Sequence, residues 1–417
     1  MSAEFAKLLL ASEAATLKYI RTHTSIPVPE VFQYSSSSNN NIGVPYILMS
    51  KASGQKLSTF NWPWFTLEMP SRRQNSLLPL TTEGGEKVMR QLGAIAAELS
   101  QVRFNTIGSL FEDEDGYTIK GCLSPSHTCY GRDSLTIDRG PFDKESDYHK
   151  SLVSANVLHA KTLPMDTHCF FAPLPVPDDY SKWSDYKFST NRWNDFMTID
   201  DKINSGKNRL DYCIASQLAQ DMIPSLLSQS YPFGFPLRHF DLSVNNIFVD
   251  EDMNITCVID WAFSSSVPFV ELLTTPGMPY PRELPDQSLV TSYRVGYEQT
   301  SAQKPSWEDT EKVWHFQRLL CMDSLQDYSH FQRLYSLVAK EELPNIPVLF
   351  QDARKAASLE LLEIPSNNRA EKYFSTKSTT NREAVARKLT VMMQLNKSFV
   401  ADRKLWQWLV DALEPEL

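Results

Sequence analysis

The alternation of apolar and polar positions predicts a helix near the start of the chain, over residues 4–22. Apolar side chains recur there every three or four residues, and Pro27 and Pro29 then prevent the helix from continuing. Two short runs rich in β-branched and aromatic residues follow, over residues 28–34 and 44–49. Because the tract between them is rich in Ser, Asn and Gly, we expect the two runs to form a β-hairpin.

Longer helices are predicted further along the chain. The clearest one carries an apolar stripe that consists of Val88, Leu92, Ile95, Leu99 and Val102. A second, over residues 209–223, carries a stripe that consists of Leu210, Ile214, Leu218 and Met222. Amphipathic segments predict further helices at residues 307–325, 348–362 and 382–413. Residues 106–185 show no such period, so we expect loops with short strands and helices there.

The composition is typical of a globular protein with one large or two moderate domains, since 42% of the 417 residues are hydrophobic. The 50 acidic residues exceed the 41 basic ones and give a net charge of -9, which disfavours nucleic acid as a partner. No run approaches the roughly 18 apolar residues that a membrane-spanning helix needs. We therefore expect neither a membrane nor a nucleic-acid partner.

The cysteines point to a reducing compartment. They lie at positions 122, 129, 169, 213, 257 and 321, without a C-x-x-C pair. A chain of this size does not need disulfide staples, so reduced thiols are the simplest interpretation. We also find no basic segment ahead of an apolar one at the N-terminus, as a secretory signal would require. Glu4 and Glu13 interrupt any acid-poor transit peptide, so mitochondrial import would require residues upstream of Met1. The sequence therefore predicts a cytoplasmic protein.

One stretch carries most of the chemistry, namely His239-Phe240-Asp241-Leu242-Ser243-Val244-Asn245-Asn246. Two apolar runs follow, at residues 248–249 and 255–259, and the acidic linker between them favours a hairpin. Hairpin closure would bring Asn246 and Asp260 side by side although fourteen positions separate them. An amide oxygen and a carboxylate suit Mg²⁺, which takes its other ligands from water and phosphate. Asp241 could then accept a proton from an incoming hydroxyl.

Each of these residues also has a structural interpretation. A single histidine such as His239 is more often a hydrogen-bonded structural side chain than a catalyst. Asp241 alone would be a turn residue, and Asn246 and Asp260 alone would be turn or strand-end caps. The combination of all four around one predicted hairpin favours a metal-phosphate site.

The order of these residues resembles a known family. His239-x-Asp241-Leu242-x-x-x-Asn246 followed by Asp260 has the layout of the catalytic loop and metal-binding aspartate of protein-kinase-like folds. Ile-Asp-Trp at 259–261, in place of Asp-Phe-Gly, is similar to the aminoglycoside phosphotransferase and choline kinase branch. Segments similar to a fungal group of that family recur at residues 13–16, 24–29, 42–43, 46–49, 107–110 and 140–142. The likeness covers roughly residues 10–300.

The resemblance implies an α+β fold with two lobes, like that of protein kinases. Residues 1–51 would form a shortened N-terminal β lobe and hinge, and residues 52–417 a large, mainly helical C-terminal lobe. The cofactors would be ATP and Mg²⁺. The partners would be this nucleotide and a small-molecule acceptor.

The resemblance also implies a role for each matching residue. Asp241 would be the catalytic base, His239 would shape the catalytic loop, and Asn246 and Asp260 would bind Mg²⁺. The hinge segment that meets the adenine would consist of Met49, Ser50, Lys51 and Ala52. Glu13 matches the helix glutamate that orients a phosphate-binding lysine.

The chain departs from the family pattern at that lysine and at the glycine-containing loop over the phosphates. Both should precede Glu13, yet twelve residues lie ahead of it and the first glycine is Gly43. Lys7 and Lys18 lie on the predicted helix itself, where Lys7 is badly placed for such a role. Either the sequence lacks a first segment of the N-terminal lobe, or the protein has lost half of its nucleotide clamp. We expect the shortened sheet to present an unpaired edge and the helix an uncovered face, so that the helix is either loosely held or used in self-association.

The expected function is an ATP- and Mg²⁺-dependent phosphotransferase that acts on a hydroxyl of a small molecule, with a role in specialised metabolism by analogy with the fungal group. The alternative is a degenerate, non-phosphorylating member that binds a metabolite or a protein. A metal-dependent hydrolase using Asp241 and Asp260 is a weaker third hypothesis. Residues 180–196, dense in Trp, Tyr and Phe, form either a flap over the core or an acceptor pocket.

Overall fold

The chain folds as a mixed α+β protein. The computed structural model describes residues 2–63, 77–175, 180, 182, 185–190, 193, 203, 205–227, 234–279, 284–302, 304–322, 326–342 and 344–356. The helices within these ranges are α1 Ala3–His23, α2 Thr82–Leu99, α3 Pro125–Thr128, α4 Glu145–Thr162, α5 Gly206–Met222, α6 Phe269–Leu272, α7 Gln287–Thr300, α8 Thr310–Cys321, α9 Asp327–Ala339 and α10 Ile346–Ala356.

The strands are short and form several small sheets. They are β1 Val31–Ser35, β2 Tyr46–Met49, β3 Gln55–Lys56, β4 Phe60–Asn61, β5 Leu78–Pro79, β6 Arg103–Phe104, β7 Ser109–Asp113, β8 Gly116–Lys120, β9 Phe235–Arg238, β10 Ile247–Val249, β11 Ile255–Val258 and β12 Ser265–Ser266. Antiparallel hairpins join β1 to β2, β7 to β8 and β10 to β11. β3 pairs with the free side of β10, and β9 lies between β6 and β12. β4 and β5 pair in parallel.

The predicted N-terminal helix is confirmed as α1. Its N-cap is Ser2, whose hydroxyl accepts a hydrogen bond from the Phe5 N–H, and its first turn carries an acidic residue that complements the helix dipole. The helix buries one face, which includes Ala14, Leu17 and Ile20. That face is covered, so the expectation of an uncovered apolar helix face is wrong.

The predicted core helix is also confirmed, as α2. The Thr81 hydroxyl caps it by accepting a hydrogen bond from the Gly84 N–H at 3.0 Å. The apolar stripe is buried, and α2 packs closely against α7 because Gly93 has no side chain. A Cβ on Gly93 would overlap the carbonyl oxygen of Tyr293 on α7. This close approach anchors α2 in the core.

The chain divides into two compact units. The first comprises the described residues of 1–66, 70–152 and 223–317. The second comprises the described residues of 153–222 and of the segment from 318 onward. All the predicted site residues belong to the first unit. The division into lobes of residues 1–51 and 52–417 stays a prediction.

Residues 106–185 contain more helix than predicted. An 18-residue helix, α4, runs from Glu145 to Thr162. Its period is obscured in the sequence because buried polar residues such as His149, Asn156 and His159 interrupt the apolar stripe. The predicted short strands and short helix are present as β7, β8 and α3, whereas the long helix α4 was not predicted.

The predicted helix at 209–223 is present as α5, but its buried face differs from the prediction. Leu210 and Leu218 are only half-buried, whereas Asn208, Arg209 and Asp211 are buried. The Arg209 Nη1 donates to the carbonyl oxygens of residues 160 and 163 at 2.7 and 2.8 Å, which makes burial of its charge tolerable. Of the later predicted helices, α8 and α10 match the first two in part, and residues 382–413 lie outside the described residues.

The cysteines match the prediction of reduced thiols. None of the six forms a disulfide, and four of them are buried. In the part of the chain that the structure describes, no helix combines the length and the apolar character needed to cross a membrane.

Candidate functional site

The hairpin β10–β11 positions the predicted site. Ile247 pairs with Val258, and the Ile259 N–H donates to the carbonyl oxygen of Asn246 at 2.9 Å. The end of the hairpin therefore brings the backbone of Asn246 next to the residue before Asp260. This is the arrangement that the spacing of the apolar runs predicts.

The turn of this hairpin is held by Asp250. Its Oδ1 accepts the N–H groups of Asp252 and Asn254 at 3.0 and 2.8 Å, and its Oδ2 accepts the Asn254 side-chain amide at 2.8 Å. Met253 takes a left-handed conformation, with φ of 61°. The acidic linker therefore folds back on itself and sets the register of the two strands.

Asn246 and Asp241 are joined directly. The Asn246 Nδ2 donates to the Asp241 carbonyl oxygen at 3.0 Å and to the Asp241 Oδ2 at 2.9 Å. Because the amide nitrogen faces Asp241, the amide oxygen faces away from it, and it accepts no hydrogen bond from any described residue. This leaves an oxygen of Asn246 and the second oxygen of Asp241 available to a ligand.

His239 is turned toward the backbone. Its Nδ1 accepts the Asp241 N–H at 3.0 Å, so the proton is on Nε2, which donates to the Ile259 carbonyl oxygen at 3.1 Å. Its ring lies edge-on to that of Trp261, with centroids 4.7 Å apart. Burial lowers the pKa of His239, which keeps the imidazole neutral. His239 therefore ties the loop to the hairpin and does not present a ring nitrogen to a substrate.

Asp260 lies at the exposed end of this arrangement. Its backbone is left-handed, with φ of 62°, an uncommon conformation for a residue other than glycine. Partial burial, followed by the negative charge of Asp241, raises the pKa of Asp260, and the charge of Lys56 opposes this shift. The negative charges of Asp241 and Asp260 therefore act on each other at this end of the hairpin.

Glu13 faces the same carboxylate from α1. Burial, and then the negative charge of Asp260, raise its pKa to about 7, against a smaller opposing effect of the Trp261 N–H. Within the described ranges no cation forms an ion pair with Glu13. Lys18, on the same helix, instead pairs with Glu112 at 2.6 Å. Glu13 is thus part of the site although no lysine orients it.

Arg238 anchors the start of the loop that carries the motif, a role that the sequence pattern does not reveal. Its guanidinium donates to the Gln317 Oε1 at 2.9 Å, to the Thr274 Oγ1 at 3.1 Å and to the Glu271 Oε2 at 3.4 Å. It also lies over the Phe240 ring, 5.0 Å from the centroid. No spacing rule connects these residues in the sequence, so only the fold could identify them.

The predicted hinge residues lie at the end of the β1–β2 hairpin. Met49 pairs with Val31, and Ser50 exchanges hydrogen bonds with Glu30, its N–H donating at 2.8 Å and its hydroxyl accepting at 2.9 Å. Ser50 and Lys51 line a cleft of about 520 Å³, together with residues 24–29 and Thr256. Ala52 is half-buried. Asp241, Asn246 and Asp260 do not line this cleft.

The residues between α1 and β1 are held from two sides. The Ser25 N–H and hydroxyl donate to the Glu98 carboxylate of α2 at 2.8 and 2.6 Å. Two residues later, the Pro27 carbonyl oxygen accepts the Val258 N–H of β11 at 2.8 Å. This segment therefore joins α1 to the strand that leads to Asp260.

The aromatic segment at 180–196 belongs to the second unit and is described only in part. Tyr186 and Trp193 are buried, and the ring of Tyr180 lies 5.7 Å from that of Tyr186. Phe188 is exposed. Trp183, Asp195 and Phe196 lie outside the described residues. The buried members fit a flap that covers the core at least as well as an acceptor pocket.

Comparison with known proteins shows partial similarity to fungal proteins. No family model matches the chain. It is 34% identical over 143 residues to a subtelomeric hrmA-associated cluster protein of Aspergillus fumigatus, a match that covers 31% of this chain and 25% of that protein. It is 30% identical over 273 residues to "Altered inheritance of mitochondria protein 9, mitochondrial" of Candida albicans strain WO-1, covering 63% of this chain and 41% of that relative. The chain thus spans between a quarter and about two fifths of the length of these relatives.

These relatives correct the prediction of a cytoplasmic protein. Five relatives from Candida species are named as mitochondrial, at 25 to 30% identity. The prediction rested on reduced cysteines, which argue against an oxidising compartment but do not distinguish one reducing compartment from another. The thiols therefore could not support the cytoplasm specifically.

Proposed function

We propose that the chain is a phosphotransferase with a protein-kinase-like, two-lobe fold, which transfers a phosphoryl group from Mg-ATP to a hydroxyl of a small molecule. The observation that carries this proposal is the hydrogen bonding of Asn246 to Asp241 at the end of the hairpin from which Asp260 follows. A solvated turn would not need the Asn246 amide to be bound twice to Asp241 while its oxygen is left open. The resemblance of the motif to the aminoglycoside phosphotransferase and choline kinase branch supports the same chemistry.

The residues at the hairpin end fit a magnesium ion. The Asn246 Oδ1 and the Asp260 carboxylate are hard oxygen ligands of the kind that Mg²⁺ prefers. Across the described ranges, no three or more His, Cys, Asp or Glu side chains are grouped to hold a metal. The ion would therefore keep water and phosphate oxygens as its other ligands, as is usual for magnesium in nucleotide sites. When bound, Mg-ATP supplies the phosphoryl group and the positive charge that stabilises its transfer.

Asp241 would act on the acceptor. Its free carboxylate oxygen would accept the proton of the acceptor hydroxyl. The hydroxyl oxygen, and not the carboxylate, would form the bond to the transferred phosphorus, with ADP as the leaving group. Asn246 holds the carboxylate in one orientation, and His239 holds the backbone of the loop. Arg238 fixes the start of the loop through Glu271, Thr274 and Gln317.

The test is ADP formation by the purified protein with Mg-ATP and a panel of hydroxylated small molecules. Asp241→Asn should abolish acceptor-dependent ADP formation and leave Mg-ATP binding within about threefold, because the base does not hold the nucleotide. Asp252→Asn, at an exposed position of the same hairpin, is the matched control and should behave as the wild type. Absence of Mg-ATP binding by the wild type in calorimetry would refute the proposal.

A second candidate function is binding without transfer. The observation that favours it is Glu13, whose carboxylate faces Asp260 with no lysine between them among the described residues. A site without a lysine at this place should have several kcal/mol less transition-state stabilisation. A wild-type protein that binds Mg-ATP tightly yet forms no ADP with any acceptor would select this candidate.

The names of the Candida relatives favour a mitochondrial setting for the activity. The cysteines are compatible with it, because none of the six forms a disulfide. Imaging of the tagged natural protein in its own cells, against a mitochondrial marker, tests this. A diffuse signal that excludes mitochondria would contradict it.

A further inference from the structure

Lys56 lies close to the proposed site and has no role so far. It belongs to β3, which pairs with β10 so that Lys56 lies opposite Phe248 and Gln55 opposite Val249. Gly54 makes this pairing possible, since its φ is 88° and a Cβ there would overlap the Val249 carbonyl oxygen. The Thr256 hydroxyl donates to the Ser53 carbonyl oxygen at 2.6 Å and fixes the approach. β3 is therefore held firmly against the hairpin β10–β11.

The side chain of Lys56 lies on the open face of this sheet. Ile247, Val249 and Val258 are fully buried and form the core face of β10 and β11. Side chains alternate along a strand, so Phe248 and its partner Lys56 lie on the opposite face. The Lys56 Nζ is 6.0 Å from the centroid of the Phe248 ring. Its ammonium is thus placed beside the hairpin and directed out of the core.

The charges around this ammonium are unbalanced. The negative charge of Asp260 raises the pKa of Glu13, and that of Asp241 raises the pKa of Asp260. The positive charge of Lys56 lowers the pKa of Asp260. Among the described residues, the Lys56 Nζ forms no hydrogen bond or ion pair. Lys120, another strand lysine over a phenyl ring, is by contrast paired with Asp113 at 2.9 Å. Lys56 is half-buried as a residue, and its ammonium has no ion pair among the described residues. Such an ammonium, beside a carboxylate that fits Mg²⁺, suits an anionic ligand.

We propose that Lys56 binds a phosphate group of the nucleotide. This inference rests on the proposed function and deepens it. The ammonium is a compact point charge on a flexible stem, which allows it to reach a phosphate oxygen from β3. It enters the site from β3, the strand that follows the predicted hinge.

The alternative is a purely structural role, in which the aliphatic part of Lys56 packs on Phe248 and water solvates its charge. The two roles differ in what they recognise. A packing lysine would affect adenosine and ATP alike, whereas a phosphate-binding lysine acts only on ligands that carry phosphate. Charge, and not volume, should then decide the effect of a substitution.

The experiment is calorimetric binding of ATP, ADP and adenosine, with Mg²⁺, to the full chain and three variants. Lys56→Met should weaken ATP and ADP binding about tenfold and leave adenosine unchanged, and Lys56→Arg should stay within about threefold of the wild type for all three ligands. Lys120→Met is the matched control and should bind like the wild type. The salt dependence of ATP binding should also be shallower in Lys56→Met than in the wild type.

Other outcomes overturn the proposal in distinguishable ways. If the wild type binds ATP and Lys56→Met binds it equally well, the assignment of Lys56 fails while the proposed function stands. If Lys56→Met loses adenosine as strongly as ATP, Lys56 has a packing role. If the wild type binds neither ATP nor ADP, the proposed function fails and the assignment of Lys56 fails with it.

Discussion

The Asn246 side-chain amide donates to both the backbone carbonyl oxygen and the Oδ2 of Asp241, at 3.0 and 2.9 Å. One residue thus fixes the position of the loop and the orientation of the carboxylate. Asn246 is itself held by the hairpin, because its carbonyl oxygen accepts the Ile259 N–H. The β-hairpin therefore fixes the position of Asp241, the proposed base, through Asn246.

We predict that Asn246→Ala lowers the free energy of unfolding by about 2 kcal/mol, because it removes two partly buried hydrogen bonds, one of them to a carboxylate. Urea unfolding followed by circular dichroism measures this. The same change should abolish stabilisation by Mg-ATP in a thermal shift assay, because it removes the proposed amide ligand.

The neighbouring Asn245 provides the control, since it is exposed and has the same side chain. Asn245→Ala should leave both measurements near the wild-type values. An Asn246→Ala protein with unchanged stability would show that the amide bonds to Asp241 contribute nothing in solution.

The stability of the protein should depend on pH through Glu13. Folded Glu13 keeps its proton up to about pH 7, because its pKa is raised there from the ordinary value of 4.5. The folded state therefore binds more protons between these values, and its stability falls as the pH rises through this window. Glu13→Gln removes this loss, so it should be more stable than the wild type at pH 8 by about 1 to 2 kcal/mol, and equal to it near pH 4.

Urea unfolding at both pH values, in EDTA, measures this difference. Glu4→Gln, at an exposed position in the first turn of the same helix, is the control and should gain no stability at pH 8. Equal stability of Glu13→Gln and the wild type at pH 8 would mean that folding does not raise the pKa of Glu13.

The hairpin β1–β2 should support self-association. Residues 31–49 include no charged side chain. β1 and β2 pair with each other, and neither pairs with a third described strand. Four large apolar residues are exposed there, namely Phe32, Ile42, Val44 and Leu48. Uncharged, unpaired strand edges with exposed apolar side chains readily pair with a second copy. We expect a concentration-dependent dimer in sedimentation equilibrium, which Phe32→Ser with Leu48→Ser should weaken at least tenfold.

Leu284 offers a matched control, because it is exposed to 52% and Leu48 to 53%. Leu284→Ser should not change the dimerisation constant. A wild-type protein that remains monomeric at high micromolar concentration would rule out this interface.

The contact between α2 and α7 predicts that Gly93 does not tolerate a side chain. Gly93→Ala would force the two helix backbones apart at Tyr293, and we expect a loss of about 3 kcal/mol in unfolding free energy. Gly206→Ala, at a helical position with open space around it, should be neutral or slightly stabilising. Thermal unfolding of the two variants tests this. Equal midpoints for Gly93→Ala and Gly206→Ala would contradict the close packing of α2 against α7.

Much of the local structure could be predicted from the sequence. The hairpin around the motif follows from two apolar runs and an acidic turn, and α1 and α2 follow from their apolar periods and their flanking residues. These elements have one apolar face each, which is what periodicity detects. The approach of Asn246 to residue 259 is a direct consequence of hairpin closure.

The remaining features depend on contacts that no local pattern encodes. α4 buries polar side chains such as His149 and Asn156, so its period is hidden. Lys56 and Phe248 are far apart in the sequence and meet only because β3 pairs with β10. Glu13 was singled out by family resemblance, but its proximity to Asp260 results from the packing of α1.

The double attachment of residues 25–27 has a mechanical consequence. Ser25 is tied to α2 and Pro27 to β11, so the C-terminal end of α1 has almost no slack relative to the strand that leads to Asp260. A ligand or partner that tilted α1 would pull on β11 at the same time. The distance between Glu13 and Asp260 would then change whenever the helix is displaced.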